Sequence, residues 1–295
     1  MQCRAARGNA GAHPRALVCD PGRGYIGRMR RFIPFMVAPP VVSVLRLDGM
    51  IASGGRGGMR LNDATLAPVI ERAFSRGGPG AVALVVNSPG GSPVQSALIA
   101  ARIRRLAREK DVPVHAFVED VAASGGYWLA TAADHIWVDD ASIVGSIGVI
   151  SAGFGFHEFI SRHGVERRIY TSGASKSMLD PFKPEKDEDV ARLRSIQDEV
   201  HARFVSEVRS RRGDRLRGGD ELFTGNIWAG RAAVENGLAD GVAHLVPKMK
   251  ELYGDKVRLT PYGLRRPLFQ RLGAQLVGGA LAGAEERALW AHYGL

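Results

Sequence analysis

The chain has 295 residues, enough for one large domain or two small ones, and its 45% hydrophobic and 24% charged content is that of a globular protein, which excludes a disordered or fibrous class. The net charge of +10 invites a nucleic-acid role, but the excess sits at the ends: seven Arg against one Asp in residues 1–31, eight Lys/Arg against four Asp/Glu in 246–295, and 25 of each sign in 32–245. Both cysteines, Cys3 and Cys19, lie near the N-terminus, which excludes a disulfide framework or a Cys–His zinc site in the body.

Residues 1–40 read as a basic, poorly ordered leader. Gly22-Arg-Gly24-Tyr-Ile-Gly27 is a literal G-x-G-x-x-G, but no strand precedes it and no helix clearly follows, so a dinucleotide site is rejected. Phe32–Val37 is apolar yet short and broken by Pro34, and no stretch reaches the roughly 20 apolar residues of a membrane span.

The body begins at Val41. Val41–Leu47 predicts a strand, and Asn62/Asp63 a cap for a helix over Leu66–Phe74. Ala81–Asn87 is a continuous apolar run, as in a parallel strand buried on both faces. It enters Ser88-Pro-Gly-Gly, then Ser92 and Pro93, an N-cap and first-turn pair, opening a helix to about Lys110 with Leu98, Ile99, Ile103 and Leu106 on one stripe. Val114–Val118 predicts the next buried strand, Gly126 onward a packed helix, and Ile136–Val138 another strand. Ile143–Ser151, small and β-branched, predicts a strand with close backbone approach. A short helix over 155–163, a strand over Glu166–Tyr170, and helices from about Glu185 to Arg212 follow, the last with Val190, Leu193, Ile196, Val200, Phe204 and Val208 on one face. Arg231–Asn236 is a further helix, and the body closes near residue 246. Residues 247–295 form a basic tail whose Leu268, Leu272, Leu276, Leu281 and Trp290 outline an amphipathic helix, suited to a membrane surface or a neighbouring subunit.

The alternation of strand, Gly-rich turn and helix gives an α/β class with a mainly parallel central sheet. Working sites in such sheets lie at the carboxyl ends of strands. Two adjacent crossovers deliver Ser88-Pro-Gly-Gly and Ser124-Gly-Gly to that edge. Ser124 at a helix N-terminus would place a hydroxyl beside free N–H groups, a nucleophile and an oxyanion site in one corner; on its own, Ser-Gly-Gly reads first as an N-cap with glycines for close packing. A G-x-S-x-G elbow, a Walker loop and H-E-x-x-H are absent. His115 lies within a strand and His135 follows Asp134, so neither stands freely near the hydroxyl. Among the lysines of the body, Lys110, Lys176, Lys183 and Lys186, only Lys176 follows a small-residue turn; a lysine base must be neutral, which burial favours.

From about Val41 to Leu245 the chain resembles the signal-peptide-peptidase family of serine peptidases, the SppA/SohB type. The resemblance rests on Asn87-Ser-Pro-Gly-Gly, Ala123-Ser-Gly-Gly-Tyr-Trp, Gly145-Ser-Ile-Gly-Val, Ser172-Gly-x-x-Lys176 with Ser177-x-Leu-Asp-Pro-Phe, and Phe223-Thr-Gly-x-x-Trp-x-Gly-Arg, in that order. It implies a Clp-protease/crotonase-like fold of repeated ββα units with C-terminal helices, and a peptidase domain over 41–246. It also implies a Ser/Lys dyad: Ser124 as nucleophile, Lys176 as general base, Ser146 orienting the lysine amine, and the N–H groups of Gly91 and Gly125 as the oxyanion hole. The expected activity is endopeptidase cleavage of signal-peptide remnants or other small or unfolded peptides through an acyl-enzyme, without metal or cofactor and rising with pH. The resemblance further implies a homo-oligomeric ring, an octamer, with each site completed across an interface. The location expected is cytoplasmic, without a transmembrane span, with peripheral membrane contact through the basic ends. A crotonase-like thioester hydrolase or hydratase, and a non-catalytic peptide- or membrane-binding scaffold, are the alternatives.

Overall fold

The computed structural model describes residues 39–53, 60–173, 175–264 and 287–294. The expected leader, apart from Pro39 and Pro40, and the expected amphipathic helix, apart from Trp290, lie outside those residues.

Strands β1 (Val41–Asp48), β2 (Ala81–Ser88) and β3 (Val114–Ala123) form the centre of one sheet, joined by helices α1 (Asp63–Ser75) and α2 (Pro93–Lys110). The apolar runs of β2 and β3 are buried on both faces, which is what parallel neighbours covered by crossover helices require. The caps form as the side-chain chemistry dictates: Asn62 accepts from the Thr65 N–H, and Ser92 from the Gln95 N–H. Helix α2 buries Ile99, Ala100, Ile103, Leu106 and Ala107. Leu98, expected on that stripe, is exposed, because the buried arc is centred one position further round the helix.

After β3 come α3 (Gly125–Ala130), β4 (His135–Val138), β5 (Ile143–Gly145) and α4 (His157–Arg162). The chain continues into α5 (Asp187–Arg212), β6 (Ile227–Ala229), α6 (Gly230–Glu235), β7 (Gly241–Val242), α7 (Leu245–Tyr253) and β8 (Arg258–Tyr262). The strand order is β6-β5-β3-β2-β1-β8, with β4 also on β3 and β7 on β4, and every pairing is parallel except β5–β6. Ile51, just past β1, bridges in parallel to Leu61 and Gly91, so the strand edge carries short second segments before the helices. One face of the sheet packs under α1, α2 and α3 around Leu45, Leu84, Ala116 and Ile136; the other carries a smaller core of Val42, Ala83, Phe117 and Met249 under α7.

Several expectations are corrected. The body does not close at residue 246: β8 pairs with β1 in parallel from Val41↔Arg258 to Leu45↔Tyr262, so the sheet runs past that boundary. Pro261 is compatible with this place because β8 is an edge strand. Glu166–Tyr170 is not a strand, since no neighbouring strand among the described residues offers it a ladder. The strand expected over Ile143–Ser151 ends at Gly145, where Ser146 turns to φ 51 and donates its N–H to the Asn226 carbonyl at 2.7 Å. In α5 only Phe204, Val208 and Arg212 are buried, so the N-terminal half of its expected apolar face stays open.

Candidate active site

Asn87 shapes the turn that presents Ser124. The β2–β3 register jumps from Val86↔Val118 to Ser88↔Ala122, leaving extra residues on β3. Asn87 spans the irregularity: its amide donates to Asp120 at 2.7 Å and its carbonyl accepts from the Val121 N–H at 3.1 Å. Beyond that point β3 leaves β4 and pairs with β5 through Val121–Ala123. Ser124 therefore emerges at the carboxyl edge of the sheet with its backbone already re-aimed.

Ser124 sits at φ 50, ψ −122, a region that costs a non-glycine residue about 1–3 kcal/mol. Two hydrogen bonds hold it there: its N–H donates to the Gly145 carbonyl at 2.8 Å, and its carbonyl accepts from the Trp128 N–H at 3.0 Å. It occupies the N-cap position of α3, yet its side chain makes no capping bond. The purely structural role open to the sequence motif is thus not the one the hydroxyl plays.

The glycines around it leave no room for side chains. A Cβ on Gly90 would lie 2.9 Å from the Gly125 nitrogen and from Ser124 Cβ, one on Gly91 would lie 2.0 Å from the Ile51 carbonyl, and one on Gly125 would lie 2.5 Å from Ser96 Oγ. Gly90 and Gly91 also have φ of 103 and 136, which favour glycine. Ser88 fastens this corner, donating its hydroxyl to the Gly49 carbonyl at 2.7 Å and accepting from the Gly90 N–H at 3.2 Å. The hydrogen bonds among the described residues include none from the Gly91 or Gly125 N–H. Two backbone donors beside a free hydroxyl can hold a tetrahedral oxyanion.

The other expected site residues are placed differently. Ser146, one residue past β5, has its hydroxyl 3.5 Å from the Tyr293 hydroxyl. Lys176 lies on an exposed turn, where its N–H bonds the Gly173 carbonyl, and it does not line the pocket that holds Ser124, Gly91 and Gly125. The structure thus brings Ser124, Gly91 and Gly125 together within one chain and leaves Lys176 on its surface. His115 is committed elsewhere: it is buried against α7, its Nε2 sits 2.9 Å from the Tyr253 hydroxyl, and its ring stacks on His135 at 5.5 Å. Burial, and then the neighbouring His135, push its pKa down to about 4. Among the described residues no group of three or more His, Cys, Asp or Glu could hold a metal ion.

The pocket at Ser124 is small, about 10 Å³, and is further lined by Pro93, Trp128, Gly148, Val149, Val200 and Phe204. Trp128 and Phe204 close it, stacked at 4.7 Å and 14°. The sequence motif contains Trp128, but its partner on α5 is not legible from spacing. A larger groove of about 810 Å³ lies on the opposite face of the sheet, over Val44, Phe117 and Leu245 with the Arg46–Glu119 ion pair at its edge. It holds none of the expected site residues.

Residues 106–254 match the family model described as peptidase family S49. The chain is 45% identical over 289 residues to a Brucella melitensis protein named Na(+)/H(+) antiporter NhaA, covering 91% of this chain and 39% of that protein. It is 30% identical over 216 residues to an Enterococcus faecium protein provisionally named signal peptide peptidase SppA, covering 72% of this chain and 62% of that one. It is 31% identical over 207 residues to Haemophilus influenzae protease 4, covering 69% and 33% respectively. The chain therefore spans less than two thirds of each of these relatives. Among solved structures, a membrane-bound stomatin-specific protease 1510-N mutant with a bound substrate peptide overlays with a TM-score of 0.48 at 14% identity, covering 80% of this chain and 97% of that one.

Proposed function

The chain belongs to peptidase family S49, and from that membership we propose that it hydrolyses peptide bonds through an acyl-enzyme formed on Ser124. The observation that carries the proposal is the unused Ser124 hydroxyl, held in a strained turn beside two unclaimed glycine N–H groups. In the proposed reaction neutral Lys176 takes the proton from Ser124 while the serine oxygen bonds to the scissile carbonyl carbon. The Gly91 and Gly125 N–H groups stabilise the oxyanion, the lysine ammonium protonates the leaving amine, and water then releases the acid. Signal-peptide remnants and other small or unfolded peptides are the proposed substrates, supported by the names of the Enterococcus and Haemophilus relatives.

The proposal includes a homo-oligomer, an octameric ring, in which Lys176 serves a neighbour's Ser124. Its support is the segment from Val149 to Lys186, which carries Lys176 and exposes Ile150, Phe154, Phe159 and Tyr170. Helix α4 buries none of its residues, an arrangement expected of a surface awaiting a partner. Burial against that partner would favour the neutral amine that a base requires.

Among the described residues no helix is long and apolar enough to cross a membrane. The likeness to the antiporter covers 39% of that protein, and ion transport is not proposed. A cytoplasmic location with peripheral contact to an anionic membrane through the basic ends is proposed, supported by the seven Arg against one Asp in residues 1–31.

Hydrolysis of an unfolded polypeptide by the purified full chain tests the dyad. Ser124→Ala and Lys176→Ala should each lose at least 1,000-fold in kcat, an order of magnitude set by loss of a triad-type group, with unchanged circular dichroism. Turnover within a few-fold of the unmodified protein in either variant would refute it. A thioester hydrolase would instead cleave acyl-thioesters and leave peptides intact.

A further inference from the structure

We infer that the groove on the far face of the sheet binds a peptide segment in which basic residues adjoin an apolar run, the make-up of a signal-peptide remnant, and that it does so apart from Ser124. This rests on the signal-peptide reading above.

The groove exists because α7 is too short to cover its side of the sheet. Its nine residues place Met249 against Val42, Ala83 and Phe117, toward the amino ends of the strands. Side chains alternate along a strand, so two residues beyond Val44 and Phe117 the same face carries Arg46 and Glu119. Arg46 reaches across Val85, its register partner on β2, and donates to both Glu119 oxygens at 2.7 and 2.8 Å. The groove bounded by this ion pair and the start of α7 has a volume of about 810 Å³, within the roughly 300–1,000 Å³ of sites that take a compact ligand. Its apolar walls include Val44, Ile143 and Leu245, half-buried, and Val246, Pro247 and Pro261, exposed.

Charge decides which ligand suits those walls. The lining holds one arginine against three carboxylates, Glu119, Asp120 and Asp139. Arg46 is already engaged by Glu119. Asp120 accepts from the Asn87 amide, and Asp139 accepts from the Ala141 N–H and lies 3.4 Å from His244; among the described residues neither has an Arg or Lys partner. An acidic rim repels the anionic surface of a membrane. A wholly polar peptide would leave the apolar walls without cover. A signal-peptide remnant supplies both parts, a positively charged stretch and an apolar run of about 7–15 residues. Strand β3 lines the groove with Glu119 and Asp120 and ends at the turn of Ser124. A remnant held in the groove would therefore raise the local concentration of its remaining residues near the catalytic corner, without any new contact there.

The test uses the purified full chain carrying Ser124→Ala, so that a bound peptide stays intact. The probe is a fluorescein-labelled peptide of about three arginines followed by about ten leucines and alanines, built on the signal-peptide layout. By fluorescence anisotropy it should bind at least about fivefold more tightly than the same peptide with glutamine for arginine, and added salt should shrink the difference. Val246 is 49% exposed, so Val246→Arg adds a cation to the wall without entering the core, and it should weaken the arginine peptide by about tenfold. Asp139→Asn keeps an acceptor for the Ala141 N–H and should weaken it about two- to threefold. With Ser124 intact, Val246→Arg should raise KM for the arginine peptide. Equal binding of the two peptides, or binding that both folded variants leave unchanged, overturns the groove assignment and leaves the peptidase reading standing. So does a Val246→Arg effect confined to co-sedimentation with phosphatidylcholine vesicles or to oligomer size, which would give the groove to lipid or to a second copy. Binding as expected, with no hydrolysis that Ser124→Ala removes, upholds the groove and overturns the peptidase reading alone.

Discussion

Ser124 places a polar side chain in a backbone conformation that glycine would adopt without strain, and its hydroxyl returns no capping bond to the fold. Replacing it by glycine should therefore raise stability while removing the hydroxyl that the proposed reaction uses. Ser124→Gly is expected to gain about 1 kcal/mol in urea unfolding, the lower part of the strain range for such a conformation less the added unfolded-state freedom, and to be inactive; a less stable Ser124→Gly would show that the hydroxyl supports the fold. His115 offers an independent test on the far face of the sheet. Its folded pKa of about 4 lies below the unfolded value near 6.5, so the unfolded chain binds the proton first as pH falls. Stability should drop between about pH 6.5 and 4 and then level, by up to about 3 kcal/mol, less where water reaches the ring. His115→Gln should flatten that limb in unfolding titrations, and an unaltered limb would contradict the assignment. Gly91, Gly125 and Ser124 were legible in the sequence because two Gly-rich turns after apolar runs must reach the same sheet edge. The use of His115 as a buried partner of Tyr253 was not, because α7 lies far along the chain and spacing does not say which strand face it covers.

Helix α3 is bolted at the end opposite Ser124. Arg211 Nε donates to the Thr131 carbonyl at 2.9 Å, Arg211 Nη2 to the Ala133 carbonyl at 2.9 Å, and Arg104 Nη1 to the Ala132 carbonyl at 3.1 Å. Asp134 holds the two arginines together, 2.7 Å from Arg104 and 3.4 Å from Arg211, and its second oxygen accepts from the Val114 N–H. Burial, then the charge of Arg104, lowers the Arg211 pKa. Positive charge at a helix C-terminus is favourable, and the carbonyls there would otherwise lack partners. Arg211→Met should cost roughly 2–3 kcal/mol, from two charge-assisted bonds lost and two carbonyls left bare. At a temperature where the variant remains folded it should lower kcat with little change in KM. Thermal unfolding and steady-state kinetics read the two effects, and an unchanged kcat would confine the clamp to stability. At this scale the strands, the crossover helices and their caps followed from periodicity and N-cap chemistry. Strand β8 did not, since Arg258–Tyr262 is short, contains Pro261 and alternates weakly; only its fit beside β1 makes it a strand. Glu166–Tyr170 shows the converse, a run read as a strand that has no ladder to join among the described residues.

Among the described residues, several exposed apolar side chains share one stretch of chain with Lys176. Val149–Lys186 and the N-terminal half of α5 expose Ile150, Phe154, Phe159, Tyr170 and Ile196, and the same stretch carries Lys176 away from the pocket that holds Ser124. If the base crosses an interface, dissociating and co-refolding equal amounts of Ser124→Ala and Lys176→Ala should restore about a quarter of the unmodified activity, the share of random pairings in a head-to-tail ring that join an intact serine to an intact lysine. Mixed assemblies that stay inactive, although each variant assembles, would place the base within one chain. The central claim is that the hydroxyl at 124 becomes the covalent attachment point, and the most direct measurement is peptide mass mapping after treatment with a serine-directed fluorophosphonate. The expected result is one adduct per active site, on Ser124, absent from the Lys176→Ala variant. A protein that cleaves peptides and is inhibited by the reagent while its Ser124 peptide stays unmodified would contradict the account.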